Sequence, residues 1–200
     1  MSNEVLGGRL SPWLSRQRMR QGRPYLRGRV LDYGCHDGTL AADVPADRYV
    51  GVDIHLPSLA EARARHPLHT FVTEVSDDER FDTIIGLAFI EHVPDPGGFL
   101  ARFAGMLRPG GRIVLTTPHP WFEWVHTAGA KVKLFSAHAH EEHEELIDRP
   151  TMERLCARAG LRIERYRRFQ LGANQLFVLV PAAAPAPGTP GTAGASAGPG

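Results

Sequence analysis

Between residues 29 and 117, short apolar runs alternate with stretches of helical spacing, and this alternation constrains the chain more than any other feature. The runs at 29–33, 49–54, 70–75, 83–87 and 112–117 are each long enough for one buried strand. The stretches at 58–65 and 97–107 carry apolar residues at three- and four-residue spacing, the second placing Phe99, Leu100, Phe103 and Leu107 on one face. Strand and helix in alternation specify a parallel sheet with crossover helices, a doubly wound α/β architecture. Pro109-Gly110-Gly111 predicts a turn before the fifth strand. A helix over 151–159 with Gly160 as its C-cap precedes two further strands, at 161–169 and 175–180, which can close as an edge hairpin.

The flanks read differently. Residues 1–28 form a basic helical segment, with Ser11-Pro12 read as N-cap and first helical position. Arg9, Arg16, Arg18, Arg20, Arg23, Arg27 and Arg29 crowd this end, whereas Glu141, Glu142, Glu144 and Glu145 crowd a later one, and opposite charge lets the two attract. An insertion at about 118–149, too long for an ordinary connection, reads as a lid carrying Trp121, Phe122 and Trp124. Residues 181–200, PAAAPAPGTPGTAGASAGPG, read as a disordered tail. The domain proper is therefore 29–180.

A net charge of +1 gives no global field favouring nucleic acid or a membrane surface. Two cysteines, Cys35 and Cys156, without a CxxC pair point to a reducing compartment, the cytoplasm, and MSNEVLGGRL lacks the apolar core of an export signal. His138, His140 and His143 lie among carboxylates, but their spacing matches no familiar metal site and a solvated charged segment is the simpler reading; no metal is expected.

The first strand ends in Asp32-Tyr33-Gly34-Cys35-His36-Asp37-Gly38, a turn expected to feed a helix whose free N–H groups face a ligand. A nicotinamide GxGxxG needs glycines at 34, 36 and 39, and only Gly34 fits. A GxGxG turn needs 34, 36 and 38, and two of these are glycine; His36 stands at the third, where a positive φ is better tolerated by histidine than by a branched residue. Asp53 closes the second strand, where its carboxylate can accept both hydroxyls of a ribose. Near the end of the third strand Glu74 or Asp77 can accept from an adenine amine. His92 follows the fourth strand and His119 the fifth; each is a candidate base for a hydroxyl acceptor, or alternatively only shapes its turn.

In order along the chain, VLDYGCHDG, VGVDIH, FDTIIGLAFIEHVPDP, MLRPGGRIVLTTPHP and LCARAGL resemble the successive motifs of class I S-adenosylmethionine-dependent methyltransferases. IEHVPDP and LRPGGRIVLTTP are similar to the ubiquinone-biosynthesis and small-molecule type. The resemblance implies a Rossmann-like seven-stranded sheet of order 3-2-1-4-5-7-6, the last strand antiparallel, with helices on both faces. It implies S-adenosyl-L-methionine as cofactor, with Asp32, Gly34 and Gly38 at the methionine end, Asp53 at the ribose, and Leu87 and Ala88 beside the sulfonium. The acceptor it implies is a small molecule, a saccharide or specialised-metabolite intermediate. Three other readings stay open: a small-RNA terminal ribose methyltransferase, whose Glu-His pair Glu91 and His92 match although Ala88 replaces its preceding glutamate; a cofactor-binding subunit without catalysis; and a nicotinamide enzyme.

Overall fold

The computed structural model describes residues 4–120 and 147–182. The apolar runs become β1 (Val30–Tyr33), β2 (Tyr49–Val52), β3 (Thr70–Val72), β4 (Phe81–Leu87), β5 (Leu107–Pro118), β6 (Leu161–Phe169) and β7 (Asn174–Pro181). Helices α1 (Glu4–Gly22), α2 (Leu56–Arg65), α3 (Pro96–Gly105) and α4 (Arg149–Arg158) complete the frame. The strands form one sheet of order β3-β2-β1-β4-β5-β7-β6, with β7 antiparallel to both neighbours, as the motif order implies.

Alternating strand residues feed two cores. Leu31, Ile84, Ile113 and Phe177 face α3 and α4, where Leu100, Phe103, Met152 and Cys156 are buried. Val30, Tyr49, Ile85, Val114 and Val178 face the other way, against Leu59 and Ala62 of α2 and Met19 of α1. Leu100 and Phe103 are fully buried, each contributing roughly 1.5–3 kcal/mol. The Asp95 cap, whose carboxylate accepts from Gly98 N at 3.0 Å, adds about 1 kcal/mol. Packing, more than capping, therefore fixes α3. At the other end of the chain Asp148 caps α4 through Thr151 N at 2.8 Å, and Gly160 follows it at φ +67° in the conformation its C-cap reading requires.

Three local expectations are corrected. First, α1 begins at Glu4 and runs through Ser11 and Pro12. Proline removes one backbone donor from the helix, but the C-terminal half is anchored: a Cβ on Gly22 would lie 2.7 Å from Ile85 Cδ1. Second, the turn after β1 feeds a five-residue 3-10 helix, Thr39–Asp43, not an α-helix. Pro45 stands seven residues beyond Gly38, which leaves no room for three α-turns before β2. Third, residues 107–111 are not a separate turn but the irregular start of β5. Phe81 pairs with Leu107 and Thr83 with Arg112, so the surplus is absorbed as a bulge in which Gly110 takes φ +79°.

β2 and β3 stop at Val52 and Val72, earlier than expected, which leaves Asp53, Ile54, Glu74 and Val75 just past the strands at the carboxyl edge, with Asp53 N still donating to Val72 O at 3.2 Å. Trp121, Phe122, Trp124, His138, His140, His143, most of the lid at 118–149 and most of the tail at 181–200 lie outside the described residues.

Candidate active site

The carboxyl edge of β1 and β2 is shaped by backbone conformation. Gly34, His36 and Gly38 take φ of +78°, +48° and +70°. Histidine thus occupies the left-handed region where the motif has glycine, as its position suggested. Of the six N–H groups from Gly34 to Thr39, five are engaged internally. Gly34 N and Cys35 N donate to Val52 O at 2.8 and 3.0 Å, Gly38 N to Cys35 O at 2.9 Å, His36 N to Asp53 Oδ2 at 2.8 Å and Thr39 N to Asp37 Oδ1 at 3.2 Å. The expected row of free donors is therefore absent from this turn. Asp37 also accepts from Thr39 Oγ1 at 2.7 Å and from Arg65 of α2 at 2.6 Å. Burial alone would raise its carboxyl, but these partners hold it below the ordinary range.

Asp53 accepts from two backbone groups, His36 N at its Oδ2 and His55 N at its Oδ1 (2.9 Å). Each oxygen keeps a further acceptor site, directed by a carboxylate that cannot rotate away. Asp32 is buried beneath the turn and accepts from Tyr49 Oη at 2.7 Å. Burial pushes its carboxyl up to about 7, and the negative charge of Asp53 adds to this against the Tyr49 hydrogen bond. Cys35 is buried nearby, its thiol raised by burial and by Asp32, which keeps it protonated.

Further along the edge, Glu74, Val75, Ser76, Asp77 and Arg102 line a cavity of about 610 Å³. Glu74 and Asp77 thus share one pocket, but Asp77 is already tied to Arg102 Nε at 2.6 Å, while Arg102 also reaches Val75 O at 2.9 Å. Arg102 escaped sequence reasoning because it reads there as the solvated face of α3. Ile54, next to Asp53, is 88% exposed and is the apolar surface of this half.

The β4–β5 half is different. Ala88 takes φ +55°, a strained value for a residue with a Cβ, and its N–H is held by Thr116 O at 2.8 Å and Thr116 Oγ1 at 3.1 Å. Leu87 ends β4 immediately before it, and Phe89 packs on Tyr33 with ring centroids 4.9 Å apart, close enough that a Cβ on Gly34 would sit 2.9 Å from Phe89. Glu91 is 6% exposed, and burial raises its carboxyl. Thr117 and Arg18 offset part of that rise, yet neither Glu91 Oε2 nor Thr117 Oγ1 completes a hydrogen bond. Arg18 of α1, itself partly buried, donates to Asn174 Oδ1 at 3.3 Å, and the β6–β7 turn holds α1 through Gln170 Nε2 to Leu14 O at 3.4 Å. Sequence reasoning took Arg18 only as one of the arginines that crowd the N-terminal segment.

His92 lies exposed in the 3-10 turn Ile90–His92. His119 extends β5 by one rung, donating from its N–H to Ala173 O at 2.9 Å. Burial first, and the charge of Arg168 second, lower its imidazole against the opposing pull of Asp148, which favours the neutral form. Among the described residues no group of three His, Cys, Asp or Glu side chains gathers as a metal site, and no helix is long and apolar enough to cross a membrane.

A family model described as a methyltransferase domain matches residues 8–166. The chain belongs to that family. The ubiquinone biosynthesis O-methyltransferase of Bradyrhizobium sp. (strain ORS 278) is 35% identical over 103 residues, 44% of this chain and 39% of the relative. Its counterpart in Neisseria meningitidis serogroup C is 29% identical over 163 residues, 70% of this chain and 66% of the relative. This methyltransferase domain spans about two fifths of the length of the first of these relatives. An S-adenosylmethionine-dependent methyltransferase from Clostridium acetobutylicum shares the fold at a TM-score of 0.60 and 11% identity, covering 86% of this chain and 91% of that one. The matched family and the curated relatives, on this sheet order, identify a class I S-adenosylmethionine-dependent methyltransferase domain.

Proposed function

We propose that this methyltransferase domain methylates an oxygen or nitrogen atom of a small molecule, a saccharide or specialised-metabolite intermediate, at the carboxyl edge of its sheet. The observation that carries this reading is that one edge holds a rigid, acceptor-rich half and a half with a neutral imidazole and unsatisfied buried polar atoms. S-adenosylmethionine, when bound, supplies a methyl group on a sulfonium, an electrophile that needs alignment more than activation.

The first half fits that cofactor by the chemistry of its donors and acceptors. Asp53 has an acceptor left on each oxygen for the two ribose hydroxyls. Ile54 offers its exposed side chain to the adenine, and Glu74 is the better acceptor for its amine because Asp77 is committed to Arg102. Asp32, at the floor of the turn with Gly34 and Gly38, answers the methionine ammonium, a cation that pulls a raised carboxyl back into its ionised form. Leu87 and Ala88 line the passage to the sulfonium. A dinucleotide suits this turn poorly, because its pyrophosphate needs N–H donors that the turn has spent on Val52, Cys35, Asp37 and Asp53.

His119 is the preferred base, since its neutral imidazole can take a proton from a hydroxyl as the new bond forms; His92 is the alternative. Similarity to the ubiquinone O-methyltransferases supports oxygen as the accepting atom. A labelled-methyl assay against a panel of hydroxylated and aminated small molecules tests the proposal. On the acceptor that turns over, His119→Ala is expected to lower kcat by about 10²–10⁴ while leaving S-adenosylhomocysteine affinity unchanged. A fall only in His92→Ala moves the base to His92, and an unlabelled panel with normal cofactor binding contradicts the substrate class.

A further inference from the structure

A groove of about 520 Å³ runs between α1 and the edge strand β6 and reaches Phe169 and Gln170 at the β6–β7 turn, away from the β1–β2 turn and Asp53. Its walls include Gln17, Arg20 and Gln21 from α1 and Arg165 and Arg167 from β6, with Tyr25 nearby and no carboxylate among the lining residues. Among the described residues none of the three arginines makes an ion pair, whereas other arginines do: Arg23 with Asp43, Arg65 with Asp37 and Glu61, Arg102 with Asp77, Arg108 with Asp82 and Arg149 with Glu153.

The two β6 arginines are aimed there by a backbone irregularity. Leu161 and Ile163 pack into the core shared with α3 and α4, so strict alternation would send residues 165 and 167 to that same face. A register shift between Ile163 and Arg165 reverses this. Arg165 then pairs with Val178 and Arg167 with Leu176, both of which belong to the α1 face, and Tyr166 turns to the opposite core. Bulges that re-aim side chains in this way are common where a strand lines a site.

We propose that this groove binds a small molecule through a phosphoryl group held by Arg20, Arg165 and Arg167. Three guanidiniums facing one space repel one another, and an anion of two or more charges relieves that repulsion where a single carboxylate leaves most of it. The planar, forked donors of arginine match phosphate oxygens in pairs. The volume suits a phosphorylated metabolite or nucleotide rather than a polymer. Because one wall is α1 and the other is β6, such a ligand clamps α1 to the sheet, and α1 is the helix that presents Arg18 toward Glu91.

Titration calorimetry of the full chain at low salt, with inorganic pyrophosphate, ADP and a 20-nucleotide RNA as separate probes, tests this. Saturable binding of one pyrophosphate or ADP per chain is expected. Arg165→Gln combined with Arg167→Gln, and Arg20→Gln from the opposite wall, are each expected to weaken it at least about tenfold. Arg158→Gln, at an exposed position in the last turn of α4, removes the same charge away from the groove and leaves binding unchanged. S-adenosylhomocysteine affinity stays constant in all of them, which separates this site from the cofactor site and confirms that the variants fold. Absence of saturable binding by either small probe overturns the proposal, as does an equal loss in Arg158→Gln. RNA binding far tighter than ADP also overturns it, in favour of a nucleic-acid track.

Discussion

At the β1–β2 half of the carboxyl edge, five of six turn N–H groups and both oxygens of Asp53 already have partners, whereas at the β4–β5 half Glu91 Oε2 and Thr117 Oγ1 are buried with none. The first half holds its shape through its own hydrogen bonds and three positive φ values, and so presents a fixed surface to whatever binds. The second is shaped by tertiary packing of α1 and the β6–β7 turn over a raised carboxyl. The proposed assignment of the first half to the cofactor and of the second to the acceptor fits this division, because function resides in the site more than in the fold.

The comparison can be broken most strongly at Asp53. Asp53→Ala removes the acceptor for His36 N and His55 N together with the proposed ribose contact, at about 1.5–3 kcal/mol for each charged hydrogen bond. Cofactor affinity is expected to fall by about 100-fold or more in titration calorimetry. An affinity within about threefold of wild type would mean that the rigid half does not hold the cofactor.

Asp32 gives an intermediate effect that depends on pH. In the unfolded chain its carboxyl titrates near ~3.9, and in the fold burial moves it to about 7. Between these values the folded state retains a proton that the unfolded state has lost. Stability therefore falls as pH rises from about 4 to about 7 and levels off above. Asp32→Asn is neutral throughout and lacks this slope. Thermal melts from pH 5 to 8 are expected to show the variant gaining on wild type as pH rises; the opposite trend would contradict a buried carboxyl here.

The smallest effect belongs to the second half. Thr117→Val removes a buried hydroxyl that completes no hydrogen bond, so only its weak electrostatic contact with Glu91 is lost while a desolvation cost is relieved. The melting temperature is expected to stay within about 2–4 °C of wild type, the equivalent of roughly 1 kcal/mol. A larger drop would show that Thr117 Oγ1 is satisfied in solution, and the contrast between the halves would narrow.

The strands and both helical layers were legible because strand and helix periods survive in the sequence, the sheet order only through the resemblance of the motifs to a known family, and His36 could be placed at a positive φ because a glycine motif names the positions that need one. The 3-10 helix after Gly38 was legible in principle: Pro45 limits the space, a distance argument that outranks the habit of following a glycine turn with an α-helix. Arg18, Arg102 and the burial of Glu91 were not legible. Each depends on a neighbour 25 to 156 residues away, and a charged residue on an amphipathic helix looks the same in sequence whether it meets solvent or a buried acid. The bulge that turns Arg165 and Arg167 toward α1 is hidden for a related reason, since it breaks the period on which strand faces are assigned.

Titration of the full chain with S-adenosylhomocysteine, repeated in the presence of excess NAD, tests most directly whether the turn at 34–38 with Asp53 is a methyl-donor site. The account predicts saturable binding of one molecule per chain, unchanged by NAD. Displacement by NAD, or no saturable binding of S-adenosylhomocysteine to a chain that melts cooperatively, would contradict it.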